Sequence, residues 1–97
     1  MLTILRVRGD SLEPEIHHGN FLLLAALPGW HERLRPGDLV VFRQPGYGTL
    51  VKRVERIDTA RKELFVTGSA PESVDSRTFG SVPFRALRGR VIHHFRK

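Results

Sequence analysis

Leu39-Val40-Val41-Phe42-Arg43, then Gln44-Pro45-Gly46-Tyr47-Gly48, then Thr49-Leu50-Val51-Lys52-Arg53-Val54-Glu55-Arg56-Ile57: two runs rich in β-branched and aromatic residues flank a Gly/Pro turn. Runs of this kind, bounded by strong breakers, read as short strands. Working outward, Phe21 to Ala26, Leu64 to Thr67 and Arg88 to Phe95 read the same way, and Leu2 to Arg8 reads as a strand stopped by Gly9-Asp10. Turn signals separate them at His18-Gly19-Asn20, Pro28-Gly29, Arg35-Pro36-Gly37-Asp38, Gly68 to Ser76 and Gly80 to Pro83. No long helical period is present, and helix is expected only in short turns at Glu13 to His17 and Trp30 to Leu34. The expectation is a mainly β fold, a small partly closed barrel or sheet of about six short strands.

The chain has 97 residues with 40% apolar side chains, enough for one small core and one domain spanning 1–97. Cysteine is absent, so a disulfide framework, a zinc ribbon and a thiol nucleophile are all excluded, and any nucleophile must be an oxygen. The longest apolar run, Phe21 to Leu27, falls far short of the roughly 20 residues of a membrane-spanning helix. Arg6 and Arg8 interrupt the start before a signal-peptide core can build up, so a soluble cytoplasmic protein is expected. The net charge of +6 raises nucleic acid as a partner, since a basic domain is attracted to phosphate whatever its fold. The arginines are scattered in sequence and interleaved with acids, as in His31-Glu32-Arg33, and aromatics are few, so no nucleic-acid partner is expected.

Three segments carry polar residues where a sheet does not require them. In Gly9-Asp10-Ser11-Leu12-Glu13-Pro14, a serine follows a strand end on a tight turn, where it can present both its hydroxyl and its own N–H. Alone, Asp10 and Ser11 also make an ordinary turn cap. In Leu50-Val51-Lys52-Arg53-Val54, strand alternation puts Lys52 on the face of Leu50 and Val54, the more apolar one. A lysine taken out of water loses stability as an ammonium ion, and the neutral amine is a usable general base. Alone, such a lysine can also lay its stem on the sheet and reach water. In Gly68 to Gly80, serines surround an Asp75/Arg77 pair whose side chains can meet on one side of an extended loop and fix its shape. Together a serine, an apolar-face lysine and a hydroxyl-rich loop compose the Ser-Lys form of the nucleophile–base arrangement.

In this order, Gly9 to Pro14, Leu50 to Val54, Ser73-Val74-Asp75-Ser76-Arg77-Thr78-Phe79-Gly80 and Gly89-Arg90-Val91 resemble the motifs of the type I signal peptidases, a family of Ser/Lys endopeptidases. The resemblance implies Ser11 as nucleophile, Lys52 as general base, Ser73 as a hydrogen-bond partner of the lysine amine, and Asp75 and Arg77 as supports. Gly9, Asp10, Leu12 and Pro14 would edge the substrate groove. Leu12 stands where the family usually has methionine, Gly68-Ser69-Ala70 replaces the usual Gly-Asp-Asn, and Gly68 to Ser73 is one residue shorter than usual. Gly9 offers no hydroxyl to an oxyanion, so the Ser11 N–H would be the main donor.

The implied activity is cleavage of a leader from a protein precursor, with small residues before the cut and no cofactor. Two other readings follow from the same fold: a membrane signal peptidase domain lacking its anchor, and a β binding module like the C-terminal domain of self-cleaving SOS-type repressors. The histidines do not suggest a metal site, because the neighbours in His17-His18 and His93-His94 point to opposite faces of a strand. They and His31 are expected at the surface. Trp30 fits either a core cover or a lip facing substrate.

Overall fold

The computed structural model of the protein describes residues 1–6, 19–68 and 74–95. Seven strands form one antiparallel sheet: β1 Leu2–Arg6, β2 Phe21–Ala25, β3 Leu39–Gln44, β4 Gly48–Asp58, β5 Glu63–Thr67, β6 Val82–Pro83 and β7 Leu87–Phe95. Their order is β1-β2-β7-β3-β4-β5-β6. The expected β fold is present, with one strand more than anticipated. β6 is only two residues long and contains a proline, so it carries no period that a sequence reading can detect. It lies at the sheet edge, where the missing proline N–H costs nothing. The expected Glu13 to His17 turn lies outside the described residues, as do positions 7 and 8 of the first expected strand. The turn at Trp30 is present as a 3-10 turn, Trp30–Arg33.

β3 and β4 are joined through Pro45-Gly46-Tyr47, with Gln44 opposite Gly48 and Leu39 opposite Arg53. Gly46 and Gly48 have φ of 84° and 82°, in the left-handed region that side chains resist, so this turn needs glycine. β7 inserts between β2 and β3 with a register shift on each side. At Gly89, an added Cβ would lie 3.2 Å from the Leu24 Cβ and 3.3 Å from the Ala25 carbonyl oxygen, so glycine lets β2 and β7 close.

The sheet must curl. The chain passes from β6 to β7 through a single 3-10 turn, Phe84–Ala86, although three strands separate the two in the sheet. Flat, the four interstrand gaps would span about 19 Å at ~4.8 Å each. The four steps from Pro83 to Leu87 reach at most about 14 Å. Rolling the sheet resolves the mismatch, and the turn packs against β3. The sheet nevertheless stays open, with β1 and β6 as its two edges.

Rolling encloses the main core, built by Val40 and Phe42 of β3, Val54 of β4, Leu64 and Val66 of β5, Val82 and Leu87, with Leu34 from the loop before β3. Trp30 is half-buried against this cluster and so serves as a core cover. The opposite face carries a smaller cluster of Leu22, Leu24 and Val41. Burial of both faces of β2 and β3 explains why these strands read as continuous apolar runs rather than alternating ones.

Candidate active site

Lys52 sits in the middle of β4, paired with Val40 and one residue before Arg53, which faces Thr67. Its face is shared with Leu50 and Val54, as alternation requires, and the residue is only 2% exposed. The stem does not carry the ammonium out to bulk water. Burial pushes the Lys52 pKa below the ordinary lysine value of 10.5, and the charge of Asp75 acts in the opposite direction, partly restoring it.

Asp75 reaches the site through the segment after β5. It is fully buried at 0% exposed and caps α1, Ser76–Phe79, by accepting from the Arg77 N–H at 2.9 Å. This corrects the expectation of an extended loop: the Asp75/Arg77 pair is the first turn of a short helix. The reason is local, since an aspartate in extended conformation before a helix satisfies an otherwise orphaned backbone donor. The pair itself is as expected. Arg77 Nε donates to Asp75 Oδ1 at 3.0 Å and Nη2 to Oδ2 at 2.9 Å, a two-pronged contact. Gly68 N–H and the Thr67 hydroxyl also donate to Oδ2, at 3.2 and 3.4 Å.

Burial by itself would raise the Asp75 carboxyl, but the Arg77 side chain and the Arg77 and Gly68 backbone N–H groups outweigh it. They hold the pKa at about 2 against an ordinary 3.8. Arg77 is raised in turn by the same bond and charge. Asp75 is therefore an ionised brace at neutral pH. It joins the end of β5 to α1 and places a fixed negative charge near the Lys52 amine.

Ser76, which the sequence reading left without a role, closes the brace: its Oγ accepts the Val66 N–H at 2.8 Å. This bond satisfies a backbone donor of β5 beyond the stretch where β6 pairs with it. Phe79, at the far end of α1, meets Phe42 and Tyr47 edge-on or tilted, with centroids 6.0 Å apart in each case, and pins the helix across the core. Neither contact has a sequence signature.

Ser11 and its neighbours Gly9, Asp10, Leu12 and Pro14 lie outside the described residues, and so does Ser73. The geometry thus brings together Lys52, Asp75 and Arg77 of the expected set. No group of three or more potential metal ligands occurs among the described residues. Two histidines depart from the expected surface role. His94 Nε2 bonds Asn20 Oδ1 at 2.8 Å. His31 stacks on Phe84 and leans against Trp30, with its Nε2 buried and without a hydrogen-bond partner among the described residues. The cause is the 3-10 turn, which rolls His31 inward beside Trp30.

The site thus consists of a small rolled antiparallel sheet with a buried lysine on its concave face and an ionised brace beside it. The family comparison gives the class: residues 1–71 match the model for Peptidase S24-like proteins. The chain belongs to the Peptidase S24-like family. This match supports the coarser part of the expectation, a serine-peptidase-like β fold. A search of curated protein sequences finds no match. Among the described residues, no helix is long and apolar enough to cross a membrane.

Proposed function

We propose that the chain is a serine endopeptidase in which Ser11 is the nucleophile and Lys52 the general base. The observation that carries this reading is the burial of Lys52 at 2% exposure on an apolar strand face. That burial favours the neutral amine needed to deprotonate a serine. Lys52 Nζ takes the proton from Ser11 Oγ as the oxygen attacks the scissile carbonyl, and the Ser11 backbone N–H donates to the oxyanion. Collapse expels the leaving-group amine of the substrate, which takes the proton from the Lys52 ammonium. Lys52 Nζ, neutral again, then deprotonates the water that attacks the ester and returns that proton to Ser11 Oγ as the acid product leaves. Asp75, held by Arg77, positions this machinery without touching substrate, and Ser73 would orient the amine.

The substrate is a soluble precursor met in the cytoplasm, cut after a small residue in its leader. A nickel superoxide dismutase proenzyme is the first candidate to test. Incubation with such a precursor should give one cut for the native chain. Ser11→Ala and Lys52→Arg should each leave a folded protein with background activity, because a guanidinium stays protonated. Turnover in Ser11→Ala would reject the assignment. The family match favours a second reading, in which the dyad cuts its own polypeptide as in self-cleaving SOS-type repressors. A cleavage rate per molecule that does not change on dilution would select it.

A further inference from the structure

The arginines are scattered in sequence, but the rolled sheet collects several of them. Arg43 at the end of β3, Arg85 in the turn Phe84–Ala86 and Arg88 in β7 line one open groove of about 560 Å3, together with Gln44, Ser81 and Pro83. An adjoining groove of about 540 Å3 shares Ser81, Pro83 and Arg85 and adds Arg61, Lys62, Glu63 and Phe84. Acidic side chains barely offset this charge. Arg61 lies 4.0 Å from Asp58, and the Glu63 carboxylate accepts from the Ser81 hydroxyl at 3.0 Å. No ion pair within the described residues involves Arg43, Lys62, Arg85 or Arg88. Like charges gathered on one surface repel unless an anion joins them.

We infer that this double groove is an exosite for an acidic segment of the protein substrate, a reading that rests on the proposed peptidase function. Guanidinium forks from separate elements suit carboxylates, which they grip in two-pronged fashion. No aromatic ring lines the first groove, and the one aromatic residue lining the second, Phe84, already stacks on His31, so bases find little stacking platform, which favours an acidic peptide over single-stranded nucleic acid. Gly48, on the groove, and Lys52 are four residues apart on β4, about 13 Å at ~3.3 Å per residue. An extended peptide of four or five residues covers that distance, so the acidic segment would sit a few residues from the bond that is cut. Arg43, Arg61 and Lys62 lie within residues 1–71, whereas Ser81, Pro83, Arg85 and Arg88 lie beyond them, so the family match covers only part of this surface.

Fluorescence anisotropy with labelled hexaglutamate and the full chain at low salt tests the groove without requiring catalysis. Arg43→Glu/Arg88→Glu should weaken binding by about tenfold or more, while Arg33→Glu, at an exposed position that lines neither groove, should change it by less than about twofold. Arg43→Gln should give an intermediate loss, with a melting curve like that of the native chain. Equal weakening by Arg33→Glu would show attraction to net charge alone and overturn the proposal. Tighter binding of a single-stranded oligonucleotide through the same arginines would overturn it in favour of a nucleic-acid surface. In the cleavage assay, an acidic stretch four to five residues from the cut should lower KM and leave kcat unchanged, and the double variant should lose that gain. Arginine-dependent hexaglutamate binding by a chain that cuts no precursor would uphold the groove and reject the peptidase reading instead.

Discussion

Replacing Asp75 by asparagine separates bracing from chemistry. The carboxylate accepts five hydrogen bonds, two on Oδ1 and three on Oδ2. An amide turns one of those acceptors into a donor facing donors. The depression of the pKa from 3.8 to about 2 corresponds, at 1.36 kcal/mol per pH unit, to about 2 kcal/mol of stability carried by the ionised form. For 97 residues, with an unfolding entropy near 2.1 cal/mol/K per residue, each kcal/mol moves Tm by about 5 °C, so Asp75→Asn should melt about 10 °C lower at pH 7.

Because the folded-state pKa lies below the unfolded one, this stability is fully present above about pH 4 and drains away as pH falls toward 2. The difference between native and variant Tm should close over that window. The substitution also removes the charge that supports the Lys52 ammonium, so the rise of activity with pH should move to lower pH. Thermal melts from pH 2 to 7 and pH–rate profiles on a fluorogenic peptide give both readouts. A Tm difference that stays constant down to pH 2, or an activity limb that moves to higher pH, would refute the reasoning.

Lys52→Met keeps the bulk of the stem and removes a buried ionisable amine that folding takes out of water, so it should abolish activity yet stabilise the fold at pH 7 by about 1 kcal/mol or more, measured by urea unfolding. Since Lys52 is lowered from 10.5, the native chain should gain stability as pH rises toward that value, and the methionine variant should lack this gain. Gly89→Ala should cost about 1 kcal/mol or more, because the new methyl meets Leu24 and the Ala25 backbone; a variant melting like the native chain would dismiss that close approach. Mass mapping of the cut in a soluble precursor should place it after Ala, Gly or Ser, and a cut after a bulky residue would reject a shallow groove edged by Leu12.

The sequence by itself determined the β class, the positions of the six longer strands and the face on which Lys52 lies. Those features depend on alternation and on Gly/Pro punctuation, which act over a few residues. It also paired Asp75 with Arg77, since two residues of spacing suffice for that contact. The short helix was hidden because a four-residue helix has no period, and its docking on β5 joins Val66 to Ser76 and Gly68 to Asp75 across seven to ten residues, contacts that only the folded chain makes. The strand order was hidden for a different reason: β7 sits between β2 and β3, far from either in sequence at its β2 contact, and only packing selects that neighbour. Whether Lys52 is buried or reaches water was likewise undecided by alternation, which fixes a face but not what covers it. The gathering of Arg43, Arg85 and Arg88 required the sheet to roll. That roll follows from the short link between β6 and β7, a constraint that exists only once the strands are placed in their tertiary order.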